Sequence, residues 1–483
     1  MSKLIIQNGN MCELDLPLKF AQKLYNEFAI RHPNAFYLRT RQRGMQNWDG
    51  KIHYITKTGQ FKIGLLPKVY DMCIEMGIKP KVVDMRQPLP KVSKVVTNIG
   101  KYKLRPEQEK AVKSVINNRV GDTPFHIGVL DYTVNAGKTL IMSSLYLTYK
   151  KQLKTLLITN DSDWLNQARE EFKQYLPGED ITFVQGKVLN WSNFTIGMVQ
   201  SISRNMRFYQ KELSQIDMVL VDEADQGGSK QYQNVITRLF NTRIRIGLSG
   251  TIYMSKLAKD KVKNMNLECF FGKVIAEFKL KDSIKKGYST KTIVKMVPGK
   301  PWYGNWESDC ISYKEIYDDS ITENNTAWTM AYNRLRWNIN QGRYPALVVC
   351  KHIAHCENLY KFFKKKLGDA YNIAYVHVNT PSKLRQQIMR DFREGKIDIL
   401  VSTTIIARGK NFPKLRYLLN AASMDSQEKS IQFLGRLVRT DKSKKKVYLD
   451  DLHYPGPYLD RHGKHRKQYY QRQELKVILL DKL

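Results

Sequence analysis

Residues 130 to 139 read Leu-Asp-Tyr-Thr-Val-Asn-Ala-Gly-Lys-Thr; the apolar run Phe125 to Leu130 leads into them and a helix-like stretch, Leu140 to Tyr149, follows. A strand that turns through Gly-Lys-Thr into a helix aims backbone N–H groups and a helix N-terminus at one point, and both favour an anion. Asn135, Ala136 and Gly137 form the turn, Lys138 reaches phosphate oxygens, and Thr139 offers its hydroxyl to a magnesium ion. The stretch predicts a parallel α/β domain with a nucleotide phosphate cradle. Tyr132 occupies the position of the usual first loop glycine, and the competing reading is a chance Gly-Lys-Thr at a helix start.

Working outward, residues 216 to 225 read Ile-Asp-Met-Val-Leu-Val-Asp-Glu-Ala-Asp, an apolar strand that delivers Asp222 and Glu223 to its carboxyl end. Ligands of parallel α/β sheets bind at that edge, whereas unpaired carboxylates are costly to bury as mere packing. Asp222 suits a magnesium ligand and Glu223 a general base for an attacking water. Asp225 fits either the site or a cap on the following turn. Further on, Gln432-Phe-Leu-Gly-Arg-Leu-Val-Arg439 spaces Arg436 and Arg439 to share one helical face. Guanidinium forks match phosphate oxygens; the alternative is an exposed basic face.

Taken in order, these elements resemble the superfamily 2 helicases and translocases along nearly the whole chain. Leu104-Arg-Pro-Glu-Gln108 looks like the adenine-reading Q motif, which implies nucleotide contacts for Arg105 and Gln108. Leu156 to Asn160 with Trp164 to Gln167 resembles motif Ia, Gly197 to Ser201 the segment before motif II, and Asp222 to Asp225 spell DEAD. Gly247-Leu-Ser-Gly-Thr251 is similar to motif III, Ala346 to His355 to motif IV, Ile399 to Asn411 to motif V, and Gln432 to Arg439 to motif VI. The resemblance implies ATP and Mg2+ as cofactors, with Gly409 also at the nucleotide. It implies catalysis by Lys138, Asp222, Glu223, Arg436 and Arg439, and nucleic-acid contacts by Gln200, Ser201, Lys351, Thr403 and Arg408. At the N-terminus, Gln46-Asn-Trp-Asp-Gly-Lys51 and Phe61 to Pro67 resemble the tailed-phage UvsW-type DNA helicases. That likeness implies DNA as partner, branched, forked or duplex and without sequence preference, and roles in recombination, repair and replication. An RNA helicase, suggested by the DEAD tetrad, and a non-catalytic nucleic-acid clamp with a weakened ATPase, suggested by Tyr132, are the rival readings.

Composition bounds the partner independently. With 80 Lys plus Arg against 45 Asp plus Glu, the 483-residue chain carries a formal charge of +35 and a pI of about 9.7, which points to a polyanion. Arg39, Arg41 and Arg43 stand beside Tyr37 and Trp48, a mixture suited to phosphate neutralisation and base stacking; Trp48 equally suits the core of a small domain. Six cysteines have no disulfide-framework spacing. Cys350, His352, His355 and Cys356 straddle a strand–helix boundary, so they do not read as a zinc site. No apolar run approaches membrane-spanning length, and the expectation is a cytoplasmic monomer.

Alternating strand and helix signals predict an α/β fold of two RecA-like parallel-sheet lobes with a small α+β N-terminal domain. The boundaries read as 1–90 for the N-terminal nucleic-acid-binding domain, 91–287 for the first lobe, 288–455 for the second and 456–483 for a basic tail. Helices are expected over about 313–341, preceded by an aromatic loop at 298–309 with Trp302, Tyr303 and Trp306.

Overall fold

The computed structural model describes residues 2–41, 45–149, 152–160, 162–252, 261–299, 312–407, 412–441 and 443–480. The chain divides into two compact units, Met1–Thr133 with Gly137–Phe278, and Val134–Ala136 with Lys279–Leu483.

The first unit is built on a seven-stranded sheet in the order Ile181–Val184, Phe194–Met198, Thr155–Thr159, Met218–Asp222, Ile244–Ser249, Ile127–Tyr132, Val274–Phe278, every pair parallel. Four of these strands, Ile127–Tyr132, Thr155–Thr159, Met218–Asp222 and Ile244–Ser249, are buried at every position. That is why their sequences are continuous apolar runs: helices cover both faces of a parallel sheet. The strand ends thus become the places where polar chemistry can surface.

Residues 1–90 do not pack as a core of their own. Their four-stranded sheet, Gln60–Lys62, Met11–Asp15, Lys3–Ile6, Lys81–Asp84, alternates buried and half-buried positions along its two central strands, and its inner face (Leu4, Ile6, Phe61), with Leu66 of the helix Leu66–Glu75, joins the same buried cluster as Val219, Leu239 and Phe271. Arg245, fully buried, explains part of the union: it donates to Gly9 O at 2.6 Å, Asn10 Oδ1 at 2.7 Å and Phe270 O at 3.2 Å. A buried guanidinium needs such acceptors, and burial with Arg86 nearby draws its pKa down to about 9.

The second unit repeats the theme with a seven-stranded, all-parallel sheet: Ile373–Val376, Ile399–Thr403, Ala346–Cys350, Tyr417–Asn420, Lys446–His453, Lys291–Pro298, Lys476–Leu479. Its last strand comes from the segment that reads in sequence as a basic tail. Residues 456–483 instead contain the helix Leu459–Arg472 and the edge strand Lys476–Leu479. The basic spacing conceals a buried face of Leu459, Arg466, Tyr469 and Tyr470, anchored where Arg466 pairs with Asp451 at 2.8 Å. The helices expected after residue 312 are Tyr313–Tyr317, a π turn at Asp318–Thr322, and Asn325–Asn340. Asn324 restarts the helix by accepting the N–H of Ala327 at 3.1 Å.

Candidate nucleotide site and nucleic-acid face

The phosphate-loop stretch folds as its residue types require. The strand Ile127–Tyr132 ends at the loop, Gly137 adopts φ 72° and ψ 47°, and the helix Lys138–Thr148 starts at once. A Cβ at Gly137 would meet Gln108 Nε2 at 2.3 Å and Arg105 Nη2 at 3.2 Å in addition to the unfavourable φ. The glycine therefore answers both to its turn and to the close approach of the Q-motif pair. Asn135 is also left-handed, at φ 63°.

Tyr132 is fully buried; its hydroxyl donates to Glu107 O at 2.8 Å and its ring lies 6.0 Å from that of Phe278. The residue that replaces the first loop glycine thus ties the strand to the Q-motif helix Pro106–Ile116 from within the core. Gln108 is fully buried too, and its Oε1 accepts the N–H of Arg105 at 2.9 Å.

Across the sheet edge, Lys138 Nζ stands 3.7 Å from Asp222 Oδ1 and 3.6 Å from Glu223 Oε1. Asp222 is 4% exposed, and its Oδ1 accepts no hydrogen bond. Burial pushes its carboxyl up to about 6, against the pull of Lys138. For Lys138 itself, burial works against the charge, but Glu223, Asp222 and Asp225 together outweigh it and raise its pKa. Glu223 sits in the left-handed region at φ 51°, a strained conformation for a residue with a Cβ. A desolvated carboxylate oxygen suits one ligand position of a magnesium ion, and the ammonium group and helix N-terminus beside it suit the phosphate oxygens that would supply others. Thr139 is half-buried in the first turn of that helix.

Asp225, ambiguous in the sequence, is buried and accepts the hydroxyl of Ser249 at 2.8 Å; Ser249 in turn accepts the N–H of Thr251 at 3.1 Å. The end of the DEAD tetrad is therefore bonded to the Ser-Gly-Thr segment. The sequence signal was present in Ser249-Gly-Thr251, but the bond spans 24 positions.

In the second unit, Arg436 belongs to the helix Gln427–Leu437, and Arg439 lies beyond it. The shared helical face predicted for the two arginines is thus not formed. Thr290 explains the stop: its N–H donates to Val438 O at 2.8 Å and its hydroxyl to Arg439 O at 3.2 Å, so carbonyls that would continue the helix are taken. Both arginines are half-buried.

Of the residues expected to face nucleic acid, Gln200, Ser201, Lys351 and Thr403 lie at or just after strand ends. Gln200 and Ser201 lie in the short helix after the strand Phe194–Met198; Gln200 Nε2 donates to Asn160 O at 3.2 Å, and Ser201 Oγ accepts the N–H of Gly186 at 3.0 Å. Lys351 follows the strand Ala346–Cys350 and donates to the Tyr313 hydroxyl at 2.9 Å, its ammonium 4.1 Å above that ring. Thr403 ends its strand almost fully buried, at 7% exposure. Arg41 is exposed with its guanidinium 5.1 Å over the Tyr37 ring. Trp48 is half-buried, its indole N–H donating to Lys51 O at 2.9 Å. Arg43, Arg408, Gly409 and the aromatics Trp302, Tyr303 and Trp306 lie outside the described residues. No described helix is long and apolar enough to cross a membrane.

Residues 101–254 match the family described as Type III restriction enzyme, res subunit, and residues 331–441 match the helicase conserved C-terminal domain. The chain is 21% identical over 436 residues to the ATP-dependent DNA helicase uvsW of Enterobacteria phage T4, covering 84% of this chain and 82% of that protein. It is 22% identical over 385 residues to helicase 22 of Sulfolobus islandicus filamentous virus, covering 73% of this chain but 64% of that protein's length. Among solved structures, the ATP-dependent Type ISP restriction-modification enzyme LlaBIII bound to DNA shares the fold at TM-score 0.59 and 15% identity, over 83% of this chain and 33% of that one. S. cerevisiae Dbp5 bound to RNA and ADP BeF3 does so at TM-score 0.53 and 14% identity, over 78% and 90%. With the res-subunit model on the first seven-stranded unit, the helicase C-terminal model on the second and the motifs of both in order, the chain belongs to the superfamily 2 helicases.

Proposed function

We propose that this chain is an ATP-dependent DNA helicase or translocase that remodels branched DNA. The observation that carries the reading is the Lys138, Asp222 and Glu223 cluster, with Lys138 within 3.7 Å of both carboxylates and Asp222 Oδ1 accepting no hydrogen bond. Lys138 and the N–H groups of the loop bind the β- and γ-phosphates of ATP, while Thr139 and Asp222 hold Mg2+. The ion, when bound, neutralises phosphate charge. Glu223 orients and deprotonates the attacking water, and Arg436 and Arg439, carried by the second unit, neutralise charge that develops in the transition state. Gln200, Ser201, Lys351, Thr403 and Arg408 grip the strand through backbone contacts that carry no sequence information. Hydrolysis alternates that grip.

DNA rather than RNA is supported by the coverage of the phage DNA helicase in both chains, by the N-terminal Asn47-Trp-Asp-Gly50 segment, and by Gln432 at the head of motif VI. The fold shared with the RNA-bound Dbp5 keeps an RNA helicase as the second reading. The test is ATP turnover with single-stranded, duplex, forked and four-way DNA, and with RNA of matched length. Stimulation greatest with branched DNA supports the proposal; stimulation by RNA alone, or none by any nucleic acid, overturns it.

A further inference from the structure

The first unit holds a second basic surface that none of the helicase motifs uses. An open groove of about 1020 Å³ runs between the segment 203–214 and the end of the helix Lys230–Ile236. Lys187, Arg204, Arg207 and Arg238 line it; among its described lining residues there is no carboxylate. The same groove exposes two phenylalanine rings, Phe208 at 43% and Phe240 at 46%. Four cations gathered without a counter-charge repel one another, and exposed phenylalanines side by side with them are a cost in water that a stacked ligand would remove.

The walls are rigid. Tyr209 is fully buried, its hydroxyl donating to Gly186 O at 2.7 Å and accepting the N–H of Val188 at 2.8 Å, which fixes Lys187 and Phe208 on either side. The opposite rim is held by the N-terminal hairpin, with Gly9 N–H on Phe240 O at 2.6 Å and Asn10 Nδ2 on Thr237 O at 3.1 Å. Its segments lead into the amino ends of the strands Met218–Asp222 and Ile244–Ser249, while the nucleotide cluster stands at the carboxyl ends. A five-residue strand is about 16 Å long, so those segments lie away from the nucleotide cluster, while Lys187 and Arg204 adjoin the Gly186–Ser201 contact at the carboxyl ends of the neighbouring strands.

Resting on the nucleic-acid function proposed above, we infer that this groove binds a single-stranded polynucleotide, its phosphates on Lys187, Arg204, Arg207 and Arg238 and its bases on Phe208 and Phe240. Phosphate neutralisation with aromatic stacking is how sequence-tolerant single-strand sites work. An acidic polypeptide supplies the charge but has no bases for the rings.

The test uses the whole chain without ATP and fluorescein-labelled oligo(dT) of 10 and 40 nucleotides, titrated across a salt series. The 10-mer is expected to bind at two sites per chain, falling to one in the double variant Arg207→Glu/Arg238→Glu. With the 40-mer that variant should flatten the log–log salt slope by roughly 1.4, at about 0.7 for each phosphate no longer neutralised. Phe208→Ala/Phe240→Ala should weaken 40-mer binding about tenfold with the slope unchanged. These side chains are exposed, so unaltered melting curves are expected, and basal ATP turnover should stay at the parent level. Parental stoichiometry and slope in both variants would overturn the groove alone, as would polyglutamate binding that depends on the arginines while oligo(dT) binding does not. A parent chain that binds no polynucleotide would overturn the nucleic-acid function as well.

Discussion

Two buried aspartates, one in each seven-stranded sheet, differ in a way that separates machinery from scaffold. Asp451, in the strand Lys446–His453, accepts from Arg466 Nε at 2.9 and 3.1 Å, Asn420 Nδ2 at 2.9 Å and the Tyr470 hydroxyl at 2.7 Å. Asp222 has an oxygen with no hydrogen-bond donor and a carboxyl pushed up to about 6 by burial. Glu223, next to it in the chain, holds left-handed backbone at φ 51°. Native buried polar groups are normally satisfied; a site that leaves one short of partners and strains the chain around it is prepared for a ligand. The second sheet holds its charge for packing, the first holds it for chemistry.

The largest effects should fall on turnover. Glu223→Gln and Lys138→Ala are each expected to lower kcat by roughly 10³-fold or more while DNA binding changes little, as removal of a general base or a phosphate clamp implies. Single-turnover ATP hydrolysis and filter binding measure both, and a Glu223→Gln rate within a few-fold of the parent would remove Glu223 as the base. Next come Arg436→Ala and Arg439→Ala. Each should cost kcat about 10³-fold with a smaller change in KM, because the interaction strengthens in the transition state. Because Arg439 leaves the chain beyond the helix end, a KM effect at one position and a kcat effect at the other would split the pair into a ground-state binder and a finger.

On stability the comparison predicts opposite outcomes. Arg466→Ala leaves Asp451 buried without its cation and should destabilise the protein by about 3–5 kcal/mol, read from urea unfolding of the second unit. Asp222→Asn should leave stability within about 1 kcal/mol of the parent at pH 7, since it removes a desolvated charge along with one partner of Lys138. The pH dependence has a definite sign. Asp222's folded pKa is raised above the ordinary carboxylate value to about 6. Its contribution favours folding below the unfolded value, near 4, and is lost as pH rises through 6. Any advantage of Asp222→Asn should therefore shrink as pH falls from about 6 to about 4. Constant ΔΔG over that window would mean that the two aspartates are equally satisfied.

Much of the candidate nucleotide site was legible because its groupings are local. Gly137-Lys138-Thr139 and the carboxylates at 222–223 sit at strand ends, and a strand end is visible as the point where an apolar run stops. The shared face for Arg436 and Arg439 was not legible, because the stop after Leu437 depends on Thr290, nearly 150 positions earlier. Tyr132 misleads for the same kind of reason. Read linearly it damages a phosphate loop; in the fold it is a buried tether to Glu107. Tyr132→Gly should thus cost about 3 kcal/mol or more through removal of the ring without tightening ATP, which thermal melting and nucleotide titration would measure.

The smallest expected effect concerns the N-terminal module. Deleting residues 1–85 is a poor test of DNA binding, since it would strip Gly9 and Asn10 from the buried Arg245 and unfold the first unit. Arg41→Ala leaves that core untouched and should reduce the salt slope of duplex binding by close to one unit. An unchanged slope would assign Arg41 to the Tyr37 ring it covers.

By itself the sequence determined the class of fold, the position of the Gly137-Lys138-Thr139 turn and the strand-end carboxylates, and a strongly basic balance, because each follows from local pattern or total charge. Tertiary structure alone decided that residues 1–84 share the first unit's core, that 459–479 complete the second sheet, and that one oxygen of Asp222 accepts no hydrogen bond. It also decided that Lys187, Arg204, Arg207 and Arg238 meet in one groove. These outcomes depend on which distant groups are brought within a few ångströms of one another, and burial then settles whether a charge is paired, desolvated or open to a ligand.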